Sequence, residues 1–193
     1  MRLIMLGPPG AGKGTQAALV SAAHGIPAVS TGDIFRANIK NETPLGRQVK
    51  EITASGGYVP DEITNAIVRD RLAEPDAAQG FLLDGYPRTT GQVEALDAML
   101  AESGHALDAV VELTVDTDEV VGRLLARAQE QGRADDTEDV VRERMRIYAE
   151  ETAPLAAVYR DRGLLCVVDG MGTVEEVTAR IEAALAPSTG RSS

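Results

Sequence analysis

The chain has 193 residues, of which 44% are hydrophobic and 25% charged, proportions that give room for one sizeable core with small inserted subdomains. Its formal net charge of −11 argues against wrapping nucleic acid, whose binding rests on many phosphate contacts to Lys and Arg. No apolar run approaches the roughly 20 residues a membrane span needs, and the start carries no basic, apolar leader, so a cytoplasmic protein without nucleic-acid or membrane partners is expected.

The first apolar run, Leu3 to Leu6, reads as a buried strand, and the pattern from about Lys13 reads as a helix. Between them lies the glycine-rich stretch of Met5 to Thr15, MLGPPGAGKGT. Strand, glycine loop and helix in that order form a phosphate cradle: glycines let the backbone turn its amides inward around an anion, and Lys13 adds a point charge. The general pattern G-x-x-x-x-G-K-[ST] runs from Gly7 through Gly12 and Lys13, but Gly14 stands where the hydroxyl belongs and Thr15 comes one position later.

Further apolar runs read as buried parallel strands at Ala28 to Ser30, Phe81 to Asp84, Ala109 to Val115 and Leu164 to Asp169. Runs of this kind alternating with helical pattern predict an α/β fold, a doubly wound five-stranded parallel sheet flanked by helices. Ligands of such sheets sit at the carboxyl ends of strands, and the stretches directly after the runs are Thr31-Gly-Asp33, Gly85-Tyr-Pro-Arg88 and Gly170-Met-Gly172. Between Thr31 and Gly80 the chain is too long for one crossover helix and breaks at Thr43-Pro44, Ser55-Gly-Gly57 and Pro60. The spacing predicts a small helical insertion, with helices near Asp33 to Lys40, Leu45 to Ala54 and Asp61 to Ala73. The polar stretch Ala128 to Asp136, AQEQGRADD, is a flap candidate, and Pro187 to Ser193 reads as a frayed tail.

Only three of the 19 basic residues are lysines, Lys13, Lys40 and Lys50, so any anion site beyond the loop must be built from arginine, whose fork grips phosphate in bidentate fashion. In Thr137 to Glu150, helical phase gathers Val140, Val141, Met145, Ile147 and Tyr148 into one apolar arc with Arg144 at its middle, while Arg142 and Arg146 fall on the solvated face. A core-facing arginine implies an internal carboxylate partner or an anionic ligand. Arg127 and Arg133 bracket the flap candidate, either as solvated surface residues or as groups brought to a nucleotide on closure. Asp84 ends a buried strand, where it either caps the strand or holds magnesium, directly or through water. Cys166, within LLCVV, is expected as a buried core thiol rather than a nucleophile or zinc ligand. His24 and His105 lie in helical or loop stretches without evident partners.

Four motifs together resemble the adenylate kinases over residues 2–186: GPPGAGKGT at 7–15, including its glycine between lysine and threonine, STGD at 30–33, DGYPRTTGQ at 84–92 and GRADD at 132–136. The resemblance implies a P-loop core (1–29, 60–127 and 138–186), a monophosphate-binding insertion (30–59) and a short lid (128–137) without zinc cysteines. It implies transfer of a phosphoryl group from ATP to AMP to give two ADP, with Mg²⁺ as cofactor, by a monomer. Carried over by position, Gly10, Ala11, Gly12, Lys13, Gly14 and Thr15 cradle the ATP phosphates, and Arg127 and the main chain of Gly172 contact the ATP adenosine end. Thr31, Arg36, Gly57, Tyr58, Val59, Gly85, Tyr86, Pro87, Arg88 and Gln92 match AMP-contacting positions. Arg133 and Arg144 match the arginines at the transferring phosphoryl group, Arg123 a further basic position there, and Lys13 and Arg88 belong with these in the catalytic set. Pyrimidine monophosphate kinases resemble the chain too, but tend to carry alanine in place of Thr31 and asparagine in place of Gln92. A nucleotide-binding switch is the alternative outside the kinases.

Overall fold

The computed structural model describes residues 1–116, 119–124 and 137–186. Five strands, β1 (Arg2–Leu6), β2 (Ala28–Ser30), β3 (Phe81–Asp84), β4 (Ala109–Thr114) and β5 (Leu165–Asp169), form one sheet in the order β2-β3-β1-β4-β5, and every pairing is parallel. β1 is central because alternate residues are apolar towards both faces. Ile4 and Leu6 pack with Leu83, Val110, Leu96 and Tyr159 on one face, and Leu3 and Met5 pack with Leu82, Val111, Val20 and Ile181 on the other. The expectation of five buried strands needs one correction: β5 is an edge strand with Val167 54% exposed, and Cys166 on it is only half-buried.

Register matters for the site. Met5 and Ser30 both pair with Asp84, Leu6 with Glu112, and Thr114 with Asp169, so the carboxyl ends of the strands line one edge of the sheet. The chain builds from β1 outward to β2 and β3 on one side, then to β4 and β5 on the other, and the loop after β1 lies where that order reverses.

Helices α1 (Lys13–His24), α2 (Thr31–Lys40), α3 (Pro44–Ala54), α4 (Asp61–Leu72) and α5 (Thr90–Glu102) precede β4. After it come a helical stretch at 119–124, α6 (Glu138–Ile147), a π-helical turn (Tyr148–Thr152), α7 (Leu155–Asp161) and α8 (Val174–Leu185). Local chemistry sets the boundaries. α2 starts at Thr31, directly after β2, because the Ser30 hydroxyl accepts the Asp33 amide, and α3 starts with Pro44 at its first position behind the Thr43 cap. α8 opens with a capping box between Thr173 and Glu176.

His24 is not without a partner: it ends α1 within 2.9 Å of Glu182 on α8, tying two helices of the same layer. α2, α3 and α4 enclose a small cluster of their own, Phe35, Val49 and Val59 with Ile63 and Ile67 at its margin.

The elbow between α2 and α3 is the tightest point of that cluster. Thr43 Oγ1 accepts the Gly46 amide at 3.0 Å and donates to Asn38 Oδ1 at 2.8 Å, and a Cβ on Gly46 would collide with the Asn38 backbone carbonyl. Gly46→Ala should therefore lower unfolding stability by about 1–3 kcal/mol through overpacking. Denaturant titration checks this, and an unchanged midpoint would contradict the packing described.

Candidate active site

The loop 7–12 turns from β1 into α1 with Gly10 and Gly12 at φ 82° and 88°, conformations in which L side chains are strained. A Cβ on Gly10 would also press on Leu124 and Val120, so glycine here lets the helical stretch 119–124 lie against the loop. α1 follows Gly12, which supplies no side-chain cap, and this leaves a helix N-terminus facing the loop's concavity. Lys13 folds back over the loop, donating to the carbonyls of Gly7 at 2.7 Å and Pro8 at 2.9 Å.

One cavity of about 840 Å³ runs from this loop across the strand ends to the α2–α4 cluster, within the size range of small-molecule sites. It brings together Gly10, Gly12, Lys13, Gly14 and Thr15 with Thr31, Arg36, Gly57, Tyr58, Val59, Gly85, Pro87, Arg88, Gln92, Arg123, Arg144 and Asp84. Three expected residues do not line it. Ala11 is buried beneath the loop, and Tyr86 points into the core, where its hydroxyl donates to Asn65 Oδ1 at 2.7 Å. Gly172 sits beyond β5 at φ 108°, beside the start of α8. Arg127, Arg133, the flap candidate and the tail lie outside the described residues.

Arg88 follows the turn after β3 and lines the cavity. It retains surface towards the cavity, but protein crowds its other sides, and that burial pushes the guanidinium below the ordinary arginine range, with Arg144 and Arg36 adding to the effect and Tyr58 and Asp84 opposing it. Each part of the residue is held. Nε donates to the Gly85 carbonyl at 2.7 Å, the guanidinium lies 5.0 Å from the Tyr58 ring centroid, and the main-chain amide donates to Gln92 Oε1 at 2.7 Å. The Arg88 carbonyl accepts from Thr152 Oγ1 at 2.9 Å, and Thr152 Oγ1 in turn accepts from the Tyr58 hydroxyl at 2.7 Å. No described carboxylate forms a salt bridge with Arg88. A desolvated cation that lines a cavity and forms no salt bridge with a described carboxylate is suited to an anionic ligand.

The Gly85 carbonyl also accepts from the buried Thr31 hydroxyl at 2.9 Å, so β2 and β3 present Thr31 and Arg88 from one anchor. Arg36 reaches the cavity in an exposed pair with Asp33, and Arg123 in a pair with Glu119. On α6 the outward residues carry solvated pairs, Arg142 with Glu138 and Arg146 with Glu143 and Glu150, while Arg144 faces the cavity with its Cγ under Gly56. Gln92 is buried, not on a solvated helix face, and its Nε2 donates to Asp61 Oδ1 at 2.7 Å.

Thr152 and Asp61 escaped the sequence reading. Thr152 touches Arg88 across 64 positions from a π-helical turn that no periodicity announces, and Asp61 reads from sequence as an ordinary first-turn acid of α4.

The family model described as Adenylate kinase matches residues 5–164. A Nocardioides sp. protein named Adenylate kinase is 63% identical over 96% of this chain and 97% of its own length. Proteins of the same name from Kocuria rhizophila and Leifsonia xyli subsp. xyli are 60% and 59% identical, each over 95% of this chain and over 98% and 92% of their own lengths.

If Arg88 is held for a ligand rather than for the fold, Arg88→Met should keep or raise the melting temperature while turnover falls by about 10³-fold or more. Arg146→Ala, which removes an exposed pair, should leave both near wild type. Parallel melting and activity measurements check the contrast, and a loss of activity that tracks a lowered melting temperature would make Arg88 structural.

Proposed function

The chain belongs to the adenylate kinase family, and on that premise we propose how its residues carry out the transfer of the terminal phosphoryl group of ATP to AMP, giving two ADP. The deep-set Arg88, sharing one cavity with the phosphate loop, is the observation that carries the assignment. The loop 10–15 and Lys13 hold the donor phosphates. Arg36 and Arg88 hold the acceptor's phosphate, Thr31 lies with Gln92 at its adenine, and Arg123 and Arg144 face the span between. Arg127 and Arg133 join from the lid by the resemblance of GRADD.

An oxygen of the AMP phosphate attacks the γ-phosphorus, a new P–O bond forms, and the bond from the γ-phosphorus to the β–γ bridging oxygen breaks, leaving ADP on the donor side. The attacking group is already an oxyanion at neutral pH, since the second phosphate pKa is about 6, so no general base is required. Catalysis rests on holding the two phosphates in line and spreading positive charge over the transferring group. Water competes with AMP for the γ-phosphate, so the insertion (30–59) and lid (128–137) close before transfer.

The Asp84 carboxylate and Thr15 hydroxyl both line the cavity, and Asp84 Oδ2 lies 3.7 Å from where a Gly14 Cβ would stand. These hard oxygens beside the loop fit Mg²⁺ arriving with ATP, held mainly by the nucleotide's own phosphates. When bound, the ion would neutralise charge on the β- and γ-phosphates.

For the acceptor base, Gln92 keeps one free amide N–H and one lone pair after its bonds to Asp61 and Arg88, a donor and acceptor side by side that complement the amino group and a ring nitrogen of adenine. We place the enzyme in the cytoplasm as a monomer that balances and salvages adenine nucleotides, a reading supported by its membership of the adenylate kinase family. Among the described residues no helix is long and apolar enough to cross a membrane.

A coupled assay tests the proposal: ATP consumption should require AMP, yield two ADP per ATP, and prefer AMP strongly over CMP. Lys13→Ala should abolish transfer with the fold intact. ATP binding without AMP-dependent turnover would indicate a switch, and equal use of AMP and CMP a pyrimidine kinase.

A further inference from the structure

We propose that Asp61 is a positioning residue for acceptor-base selectivity, acting by fixing the side-chain amide of Gln92; the inference rests on the reading of Gln92 as the adenine contact. Asp61 does not line the cavity. It stands in the first turn of α4, and its carboxylate spans the start of α5: Oδ1 accepts from Gln92 Nε2 at 2.7 Å, and Oδ2 accepts from Thr89 Oγ1 at 2.9 Å. Thr89 is itself the cap of α5, taking the Gln92 main-chain amide at 3.2 Å. The two bonds from Asp61 thus hold both the backbone turn that presents Gln92 and the far end of its side chain.

The chemistry of the partners leaves the amide one orientation. A carboxylate only accepts, so the NH₂ group must face Asp61, and a main-chain N–H only donates, so Oε1 must face Arg88, as it does at 2.7 Å. The remaining N–H and lone pair then have a fixed order in the cavity. Arg88 alone would pin the oxygen but leave the nitrogen without its charged acceptor, and charge-assisted bonds are the stronger ones. Gly91 fits the same arrangement: a Cβ there would come within 2.9 Å of Asp61 Oδ2, so the carboxylate approaches α5 as closely as it does only beside a residue with no side chain.

A tie between α4 and α5 could also serve the fold alone, and a mutant cycle separates the two roles. The measurement is kcat/KM for AMP and for CMP, with KM for ATP and the melting temperature, in wild type, Asp61→Ala, Gln92→Ala and the double variant. Asp61→Asn, which keeps the shape and one acceptor oxygen, keeps the comparison readable if Asp61→Ala does not fold. The AMP-to-CMP ratio should fall about tenfold or more in Asp61→Ala through KM for AMP, with KM for ATP unchanged, and less in Asp61→Asn. The double variant should discriminate no worse than Gln92→Ala alone, because both changes remove one unit. Equal losses for AMP and CMP in Asp61→Ala, or ratio losses that multiply in the double variant, would overturn the proposal and leave a structural brace. If Gln92→Ala lowers the ratio and Asp61→Ala does not, the role of Asp61 alone falls; if neither does, the reading of Gln92 falls with it.

Discussion

A guanidinium taken out of water needs negative charge beside it, and that of Arg88 has the Gly85 carbonyl and the Tyr58 ring in contact and Asp84 opposing its desolvation, but no salt bridge with a described carboxylate. Much of the local structure serves to keep that side chain in place. β3 ends at Asp84, and the turn after it folds back so that the Gly85 carbonyl accepts from both Arg88 and Thr31. Sheet order then puts β1, and with it the phosphate loop, next to β3. The cation and the loop face one cavity because two neighbouring strands end level, with Met5 opposite Asp84. On the proposed function, a nucleotide phosphate adds to the opposing effect of Tyr58 and Asp84 and offsets the remaining cost of desolvating Arg88 when substrate binds.

The same constraint explains how a strongly acidic chain binds polyanions. The net charge of −11 is a property of the whole surface, whereas Lys13, Arg36, Arg88, Arg123 and Arg144 converge on the cavity. Positive charge collected in a cleft with low-dielectric walls acts locally, where field lines are focused. On α6 the outward Arg142 and Arg146 are paired with Glu138 and Glu143, one turn back on the same helix. One helix therefore turns Arg144 to the cavity and its exposed, glutamate-paired arginines to solvent.

Most of the fold was legible because its signals are local. Continuous apolar runs marked all five strands, and the breaks at Thr43-Pro44 and Pro60 bounded the insertion's helices, whose observed starts at Thr31 and Pro44 follow from caps at Ser30 and Thr43. The half-exposed edge at β5 was not legible, since an apolar run does not say whether a neighbour covers both sides. Helical phase separated Arg144 from Arg142 and Arg146 because phase is a property of the helix itself. The bracing of Arg88 by Thr152, the hold of Asp61 on Gln92 and the pairing of His24 with Glu182 join residues 64, 31 and 158 positions apart. Contacts of that kind depend on how elements pack, which no pattern along the chain encodes. Tyr86 shows the reverse case, a motif residue whose side chain serves the core.

The most direct test of the central claim is the thermal stabilisation that AMP confers on wild type and on Arg88→Met. A ligand that binds only the folded state at a hundred times its Kd stabilises by about 2.7 kcal/mol. If the nucleotide's phosphate is the counter-charge of Arg88, AMP should raise the melting temperature of the wild type clearly and that of Arg88→Met little or not at all. Equal stabilisation of both proteins by AMP would contradict it, because the phosphate would then be held without the one cation the site is built around.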